Sequence, residues 1–380
     1  MKKYQQLAEQ LREQIASGIW QPGDRLPSLR DQVALSGMSF MTVSHAYQLL
    51  ESQGYIIARP QSGYYVAPQA IKMPKATVIP VTRDEAVDIN TYIFDMLQAS
   101  RDPSVVPFAS AFPDPRLFPL QQLNRSLAQV SKTATAMSVI ENLPPGNVEL
   151  RQAIARRYAL QGITISPDEI IITAGALEAL NLSLQAVTEP GDWVIVENPC
   201  FYGALQALER LRLKALSVAT DIKEGIDLQA LELALQEYPV KACWLMTNSQ
   251  NPLGFTLTPQ KKASLVALLN QYNVTLIEDD VYSELYFGRE KPLPAKAWDR
   301  HDGVLYCSSF SKCLVPGFRI GWVAAGKHAR KIQRLQLMST LSTSSPMQLA
   351  LVDYLSTRRY DAHLPVSYTH LRAHETAANL

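Results

Sequence analysis

No segment of this sequence stays apolar for the length of a bilayer crossing, so none of it predicts a membrane-spanning helix. An excess of one charge is missing too, since 36 Lys and Arg stand against 35 Asp and Glu. So balanced a chain has no global field to draw in nucleic acid, and any DNA contact must come from a local basic face. Cysteine is scarce. Cys200, Cys243, Cys307 and Cys313 form no Cys-x-x-Cys pair and have no histidine at metal spacing, which argues against a zinc site and suits a reducing cytosol. Cys200, Cys243 and Cys307 border apolar runs and are expected to be small core residues, with Cys313, beside Lys312, the exception. The opening "MKKYQQLAEQ" is polar and lacks the apolar stretch of a secretory signal, so a cytoplasmic location is expected.

What the chain has is enough apolar material, 47% of 380 residues, for a large core and more than one domain. Three parts separate by pattern. Residues 1–68 are dense in caps and turns. Residues 69–87, within "APQAIKMPKATVIPVTRDE", are rich in Ala, Pro and Lys without a sustained period and read as a linker. From residue 88 to about 364, apolar runs alternate with helical stretches.

In the first part, Leu7, Leu11 and Ile15 recur at helical spacing up to Gly18. Ser28 is a cap for a second helix, with Asp31 at the reciprocal capping-box position. Ser39 caps a third helix, which turns Val43, Ala46, Tyr47 and Leu50 inward. "YIIAR-PQSG-YYV" then reads as a hairpin. Helix, helix, tight turn, helix, hairpin is the order of a winged helix-turn-helix. In the third part, "IIIT", "WVIVE", "ACWLMTN", "VTLIEDD", "GVLYCSS" and "IGWVAA" are mostly continuous apolar runs, as strands buried on both faces require. They predict an α/β domain with a mostly parallel sheet, whose ligands gather at the carboxyl ends of strands.

Several of those strand ends carry pointed chemistry. Lys312 follows "GVLYCSS"; an isolated lysine is usually a surface residue, but one beside an apolar strand end loses hydration, and its free amine can then condense with an aldehyde. Gly175 and Ala176 open a helix after "IIIT", where backbone amides can hold a phosphate. Ser309 and Arg319 flank Lys312 as further phosphate donors. Asp279 could pair with a protonated ring nitrogen, while Tyr282 and Asn251 could bond a ring hydroxyl. Phe201 could cover a flat ring or simply belong to the core. An aldehyde, a phosphate, a pyridinium nitrogen and a phenolic oxygen together describe pyridoxal 5′-phosphate.

The order Gly-Ala helix, aromatic, Asn-Pro-x-Gly, Asp-x-x-Tyr and Ser-x-x-Lys resembles fold-type I aminotransferases. The resemblance implies that Lys312 holds the cofactor as a Schiff base and that Asp279 partners the ring nitrogen. Tyr282 and Asn251 fall on the 3-hydroxyl pair, Gly175, Ala176, Ser309 and Arg319 on the phosphate cup, and Phe201 on the stacking ring. "LPSLRDQVALSGMSFMTVSHAYQLLESQGYIIARPQSGYYV" resembles the GntR-type winged helix-turn-helix. That likeness implies a phosphate contact from Arg30, a DNA-facing side bearing Ser39, Thr42, Ser44 and His45, and a wing carrying Arg59 and Gln61. His45 and Arg59 can also be read as solvated surface residues, and Phe40 stands where many such heads have arginine.

The combined chain is similar to the MocR group of bacterial transcriptional regulators. The fold implied is an N-terminal α+β winged helix-turn-helix followed by a fold-type I, pyridoxal phosphate-dependent transferase body. The function implied is that of a cytoplasmic homodimer on double-stranded DNA whose body senses pyridoxal phosphate or its adduct with an amino compound. An active aminotransferase of an amino acid with an appended DNA-binding head is the alternative. Glu141 stands near the position where aminotransferases carry a tyrosine that reaches the partner's phosphate, which favours the sensor. Residues 365–380, in "PVSYTHLRAHETAANL", have no apolar period and no family match. The small C-terminal domain is therefore expected to be incomplete and an apolar face bared, with no arginine, Arg372 included, assignable as a carboxylate clamp.

Overall fold

The computed structural model describes residues 3–59, 62–67, 89–99, 111, 113–140, 143–286, 290–357 and 360–364. Gln61, Glu141, the expected linker and the expected tail lie outside the described residues. The chain divides into two compact units, Met1–Lys75 and Ala76–Leu380.

The first unit packs α1 (Lys3–Ala16), α2 (Leu29–Ser36) and α3 (Phe40–Ser52) against a hairpin of β1 (Ile56–Arg59) and β2 (Gly63–Val66). Leu7, Leu11 and Ile15 face Val43, Ala46, Tyr47 and Leu50, the helical stripes legible in the sequence. Ser39 caps α3 by accepting from Thr42 N at 3.2 Å. Ser28 likewise accepts from Asp31 N, but the reciprocal bond takes another form. The Asp31 carboxylate accepts from the Ser28 hydroxyl at 2.7 Å instead of reaching the Ser28 backbone.

The second unit is built on an eight-stranded sheet. Its strands are β3 (Ile170–Thr173), β4 (Trp193–Asn198), β5 (Lys214–Asp221), β6 (Gly225–Ile226), β7 (Val240–Leu245), β8 (Thr275–Asp279), β9 (Val304–Ser309) and β10 (Gly321–Ala324). Their order is β3-β10-β9-β8-β7-β4-β5-β6. Strands β5, β4, β7, β8 and β9 run parallel, whereas β10 is antiparallel to both neighbours and β6 to β5. Alternate side chains enter opposite cores. From β4, Val194 and Val196 pack on one face and Ile195 on the other.

Each strand read from the sequence is present, and β5 and β6 were not read. The reason is position. β5 lies next to the sheet edge and buries only alternate residues, so "KALSVATD" has no continuous apolar run. The parallel strands bring the chain after β7, Asp279 of β8 and Ser309 of β9 to one edge of the sheet.

Candidate functional site

That edge bounds a cavity of about 530 Å³, lined by Ala176, Phe201, Asn251, Asp279, Tyr282, Ser309, Lys312 and Arg319 among others. All the residues expected around a cofactor meet there except Gly175, which stands immediately behind. Gly175 is the N-cap of the helix Ala176–Val187, with φ at 89°. A Cβ on it would fall 2.5 Å from Arg319 Nη2, so the missing side chain lets the guanidinium lie against the helix start. Arg319 is itself left-handed, at φ 52°, and donates from Nη2 to Ala174 O at 3.1 Å. A non-glycine residue pays roughly 1–3 kcal/mol for such a backbone, which persists only where its surroundings impose it. A helix N-terminus and a held guanidinium thus converge on one wall, an arrangement suited to an anion.

Asp279 closes the opposite polar end. It is 2% exposed, and its Oδ1 has no hydrogen-bond partner among the described residues. Burial, and then repulsion from Asp280, push its carboxyl up to about 7, against the pull of the neighbouring Trp244 indole and the Lys312 ammonium. Lys312 Nζ donates to Ala111 O at 2.8 Å and sits 5.6 Å from the centre of the Tyr282 ring. Burial holds its pKa below the usual lysine range; Asp279 resists that shift and Arg319 adds to it. Asn251 Nδ2 donates to Tyr282 Oη at 3.4 Å, long for a hydrogen bond, so each keeps bonding capacity for a third atom. Burial also raises the Tyr282 phenol, to about 12.

Other cavity residues were not read from the sequence. Ser311 lines the wall, 7% exposed, with an unpartnered Oγ. The spacing Ser-x-x-Lys drew attention to Ser309 and passed over the serine between. Met246, Leu177 and Tyr202 supply apolar wall, and only the ring pair Phe201–Tyr202, centroids 4.7 Å apart, had a signal in "ENPCFYG". Cys200 corrects an expectation. It lines this cavity half-buried, because β4 has already ended at Asn198. Cys243 and Cys307 are core residues as expected. Cys313 is buried, its Sγ 2.9 Å from Tyr360 Oη, and burial pushes its thiol up to about 12, so it is not a reactive cysteine.

In the first unit, Arg30, Ser39, His45 and Arg59 are exposed and Thr42 and Ser44 half-buried. The Ser39 and Thr42 hydroxyls lie 2.8 Å apart at the start of α3. His45 meets the Tyr4 ring edge-on, 5.9 Å between centroids, and the Arg59 guanidinium stacks 4.4 Å above Tyr65. Phe40 and Met41 stand exposed on the same first turn.

Comparison with known proteins agrees with both units. The family of bacterial regulatory proteins named gntR matches residues 3–66, and aminotransferase class I and II matches residues 114–375. The HTH-type transcriptional regulator YdcR of Escherichia coli K12 is 98% identical over 364 residues, covering 96% of this chain and 78% of that protein. The chain belongs to the MocR-type transcriptional regulators. Such a regulator joins a DNA-binding GntR head to a body of a pyridoxal phosphate-dependent family, and the relatives of that body include enzymes. Aromatic-amino-acid aminotransferase 1 of Thermococcus litoralis is 32% identical over 283 residues, 72% of this chain and 67% of that one. The crystal structure of a multiple substrate aminotransferase from Thermococcus profundus superposes with a TM-score of 0.69 at 27% identity, covering 76% of each chain. Among the described residues of this MocR-type chain no helix is long and apolar enough to cross a membrane.

Proposed function

We propose that this regulator binds pyridoxal 5′-phosphate in the cavity at Lys312 and uses it to sense the cofactor itself or an amino compound that reacts with it. The observation that carries the reading is Asp279, a buried carboxyl that lines the same cavity as a desolvated amine and an anion cradle and whose Oδ1 has no hydrogen-bond partner among the described residues. That donor set fits a group with a basic ring nitrogen at one end and a phosphate at the other. When bound, pyridoxal phosphate supplies an aldehyde that condenses with amines and a ring that withdraws electrons. Arg319, Ser309 and the amides at Gly175 and Ala176 would hold the phosphate. Asp279 would keep a proton on the ring nitrogen, Asn251 and Tyr282 would hold the ring hydroxyl, and Phe201 would cover one face. Lys312 would furnish the amine that carries the aldehyde carbon.

The head would bind DNA with Arg30 on phosphate, Ser39, Thr42, Ser44 and His45 on the groove side of α3, and Arg59 and Gln61 on the wing. Two copies acting as a cytoplasmic homodimer would present two heads to paired half-sites, and occupancy of the body would bias their spacing. Arg30→Ala should weaken binding about equally for all DNA sequences and lower the slope of log affinity against log salt by about 1. An unchanged slope in gel-shift titrations would remove Arg30 from the phosphate contacts.

A working aminotransferase is the second reading, favoured by the enzymes among the relatives of the body. Pyridoxal phosphate titrated into the purified chain should produce a near-visible band that borohydride bleaches, with the reduced label on Lys312. Adding amino and keto acids then separates the readings. Spectral change that stops at one equivalent supports a sensor, and sustained turnover supports the enzyme. No band at all would refute both.

A further inference from the structure

Behind Asp279 runs a set of buried polar groups that the cofactor reading does not use. Lys262, on the helix Pro259–Gln271, is 2% exposed. Its Nζ donates to Asn248 Oδ1 at 2.5 Å and to Leu293 O at 2.7 Å. Asn248 Nδ2 donates in turn to Asp280 Oδ1 at 3.0 Å, and Tyr306 Oη donates to Asp280 Oδ2 at 2.6 Å. The Asp280 backbone is fixed as well, its N–H on Cys307 O at 2.9 Å and its carbonyl receiving the Ser308 hydroxyl at 2.8 Å. Every member from Lys262 to Tyr306 is at most 2% exposed.

A lysine and an aspartate are costly to bury, and here a neutral asparagine spans the gap between them. A core that needed only volume would be served as well by apolar residues. What the relay adds is location. It pins the strand-end peptide that Asp279 precedes and Val281 and Tyr282 follow, and it fixes a carboxylate one residue along the chain from Asp279.

We infer that Asp280 is a positioning residue of the cofactor site, held by the Lys262–Asn248 relay and Tyr306 and acting through Asp279. The inference rests on the pyridoxal phosphate reading. The Asp279 carboxyl also interacts electrostatically with Glu278 on its own strand, Glu197 of β4, Cys307 of β9, Trp244 of β7, and Tyr282 and Lys312. Of the groups that raise it, Asp280 ranks next after burial. A ring that arrives protonated needs Asp279 ionised, so cofactor affinity should fall as pH drops below about 7, because a proton must first leave the carboxyl. Removing the Asp280 charge favours ionisation of Asp279 and moves that acid limb to lower pH.

The test is a fluorescence titration of the full chain with pyridoxal phosphate between pH 5.5 and 8.5, for the wild type and Asp280→Asn. Lys262→Met/Asp280→Asn is measured beside them, since it removes both charges together and leaves neither buried alone. The expected result is an acid midpoint lower by about half a pH unit or more in each variant that folds, a shift that loss of packing alone would not produce. Midpoints equal to the wild type in a folded variant would overturn the role of Asp280 and leave the cofactor reading standing. Absence of binding by the wild type at every pH would overturn that reading, and this inference with it.

Discussion

Lys312→Ala should abolish covalent capture of pyridoxal phosphate, leaving no borohydride-fixed label anywhere on the body. The other buried lysines of the body cannot substitute. Lys262 Nζ is committed to Asn248 and Leu293, and Lys296 Nζ to Asp299 and Val304. Non-covalent affinity should fall as well, by about tenfold or more near neutral pH. The reason is electrostatic: the Lys312 ammonium holds the Asp279 carboxyl down, so its loss lets that carboxyl rise further and leaves it neutral when the ring nitrogen needs an anion. The fold should not suffer, because burial disfavours the Lys312 charge and its removal relieves that cost. Lys312→Arg separates the two effects by keeping the cation while discarding the nucleophile. It should restore part of the affinity and none of the label. Mass spectrometry after reduction reads the outcome, and a stoichiometric label surviving in Lys312→Ala would refute the assignment.

The site was legible to the extent that its residues sit in short motifs at strand ends. A strand period, a terminal Asp and a Tyr three residues on define one place in a parallel sheet, so Asp279, Tyr282 and Lys312 could be read without coordinates. Strand β5, next to the sheet edge, could not, since it buries only alternate residues. Ser311 was hidden for another reason: in "SSFSK" nothing marks it as a second cavity-lining serine beside Ser309. The relay behind Asp279 was the least legible part. Lys262 lies in "TPQKKASLV" beside Lys261, which is half-buried, and only the packing of that helix decides which amine is enclosed. Asn248 and Asp280 are polar residues after strands just as Asn251 is, and Asp280 directly follows Asp279, so the local sequence does not separate them. The side to which each turns is fixed by the pleat and by partners far away in the chain. Motifs therefore exposed what touches the cavity and left invisible what holds those residues in place.

Leu50→Ala should destabilise the head and weaken its DNA binding while the body keeps its cofactor chemistry. Leu50 is fully buried in the cluster formed by Leu7, Leu11, Ile15, Leu26, Val43, Tyr47, Ile56 and Val66. Truncating a leucine in such a place costs about 2–5 kcal/mol, from lost transfer energy and the cavity left behind. A domain of this size has only about 3–9 kcal/mol of stability to lose. At the low end of that margin the variant head should spend much of its time unfolded at 37 °C, with apparent DNA affinity falling in proportion to the folded fraction, by up to about thirtyfold. Leu35→Ala is the control: Leu35 is 73% exposed, and its loss should change stability by no more than about 0.5 kcal/mol. The body packs around hydrophobic clusters of its own, so pyridoxal phosphate should still label Lys312 in Leu50→Ala. Gel shifts and cofactor absorbance on the same preparation decide it. Loss of both together would mean that head and body fold as one cooperative unit. Loss of neither would mean that the head draws its stability from beyond its own core.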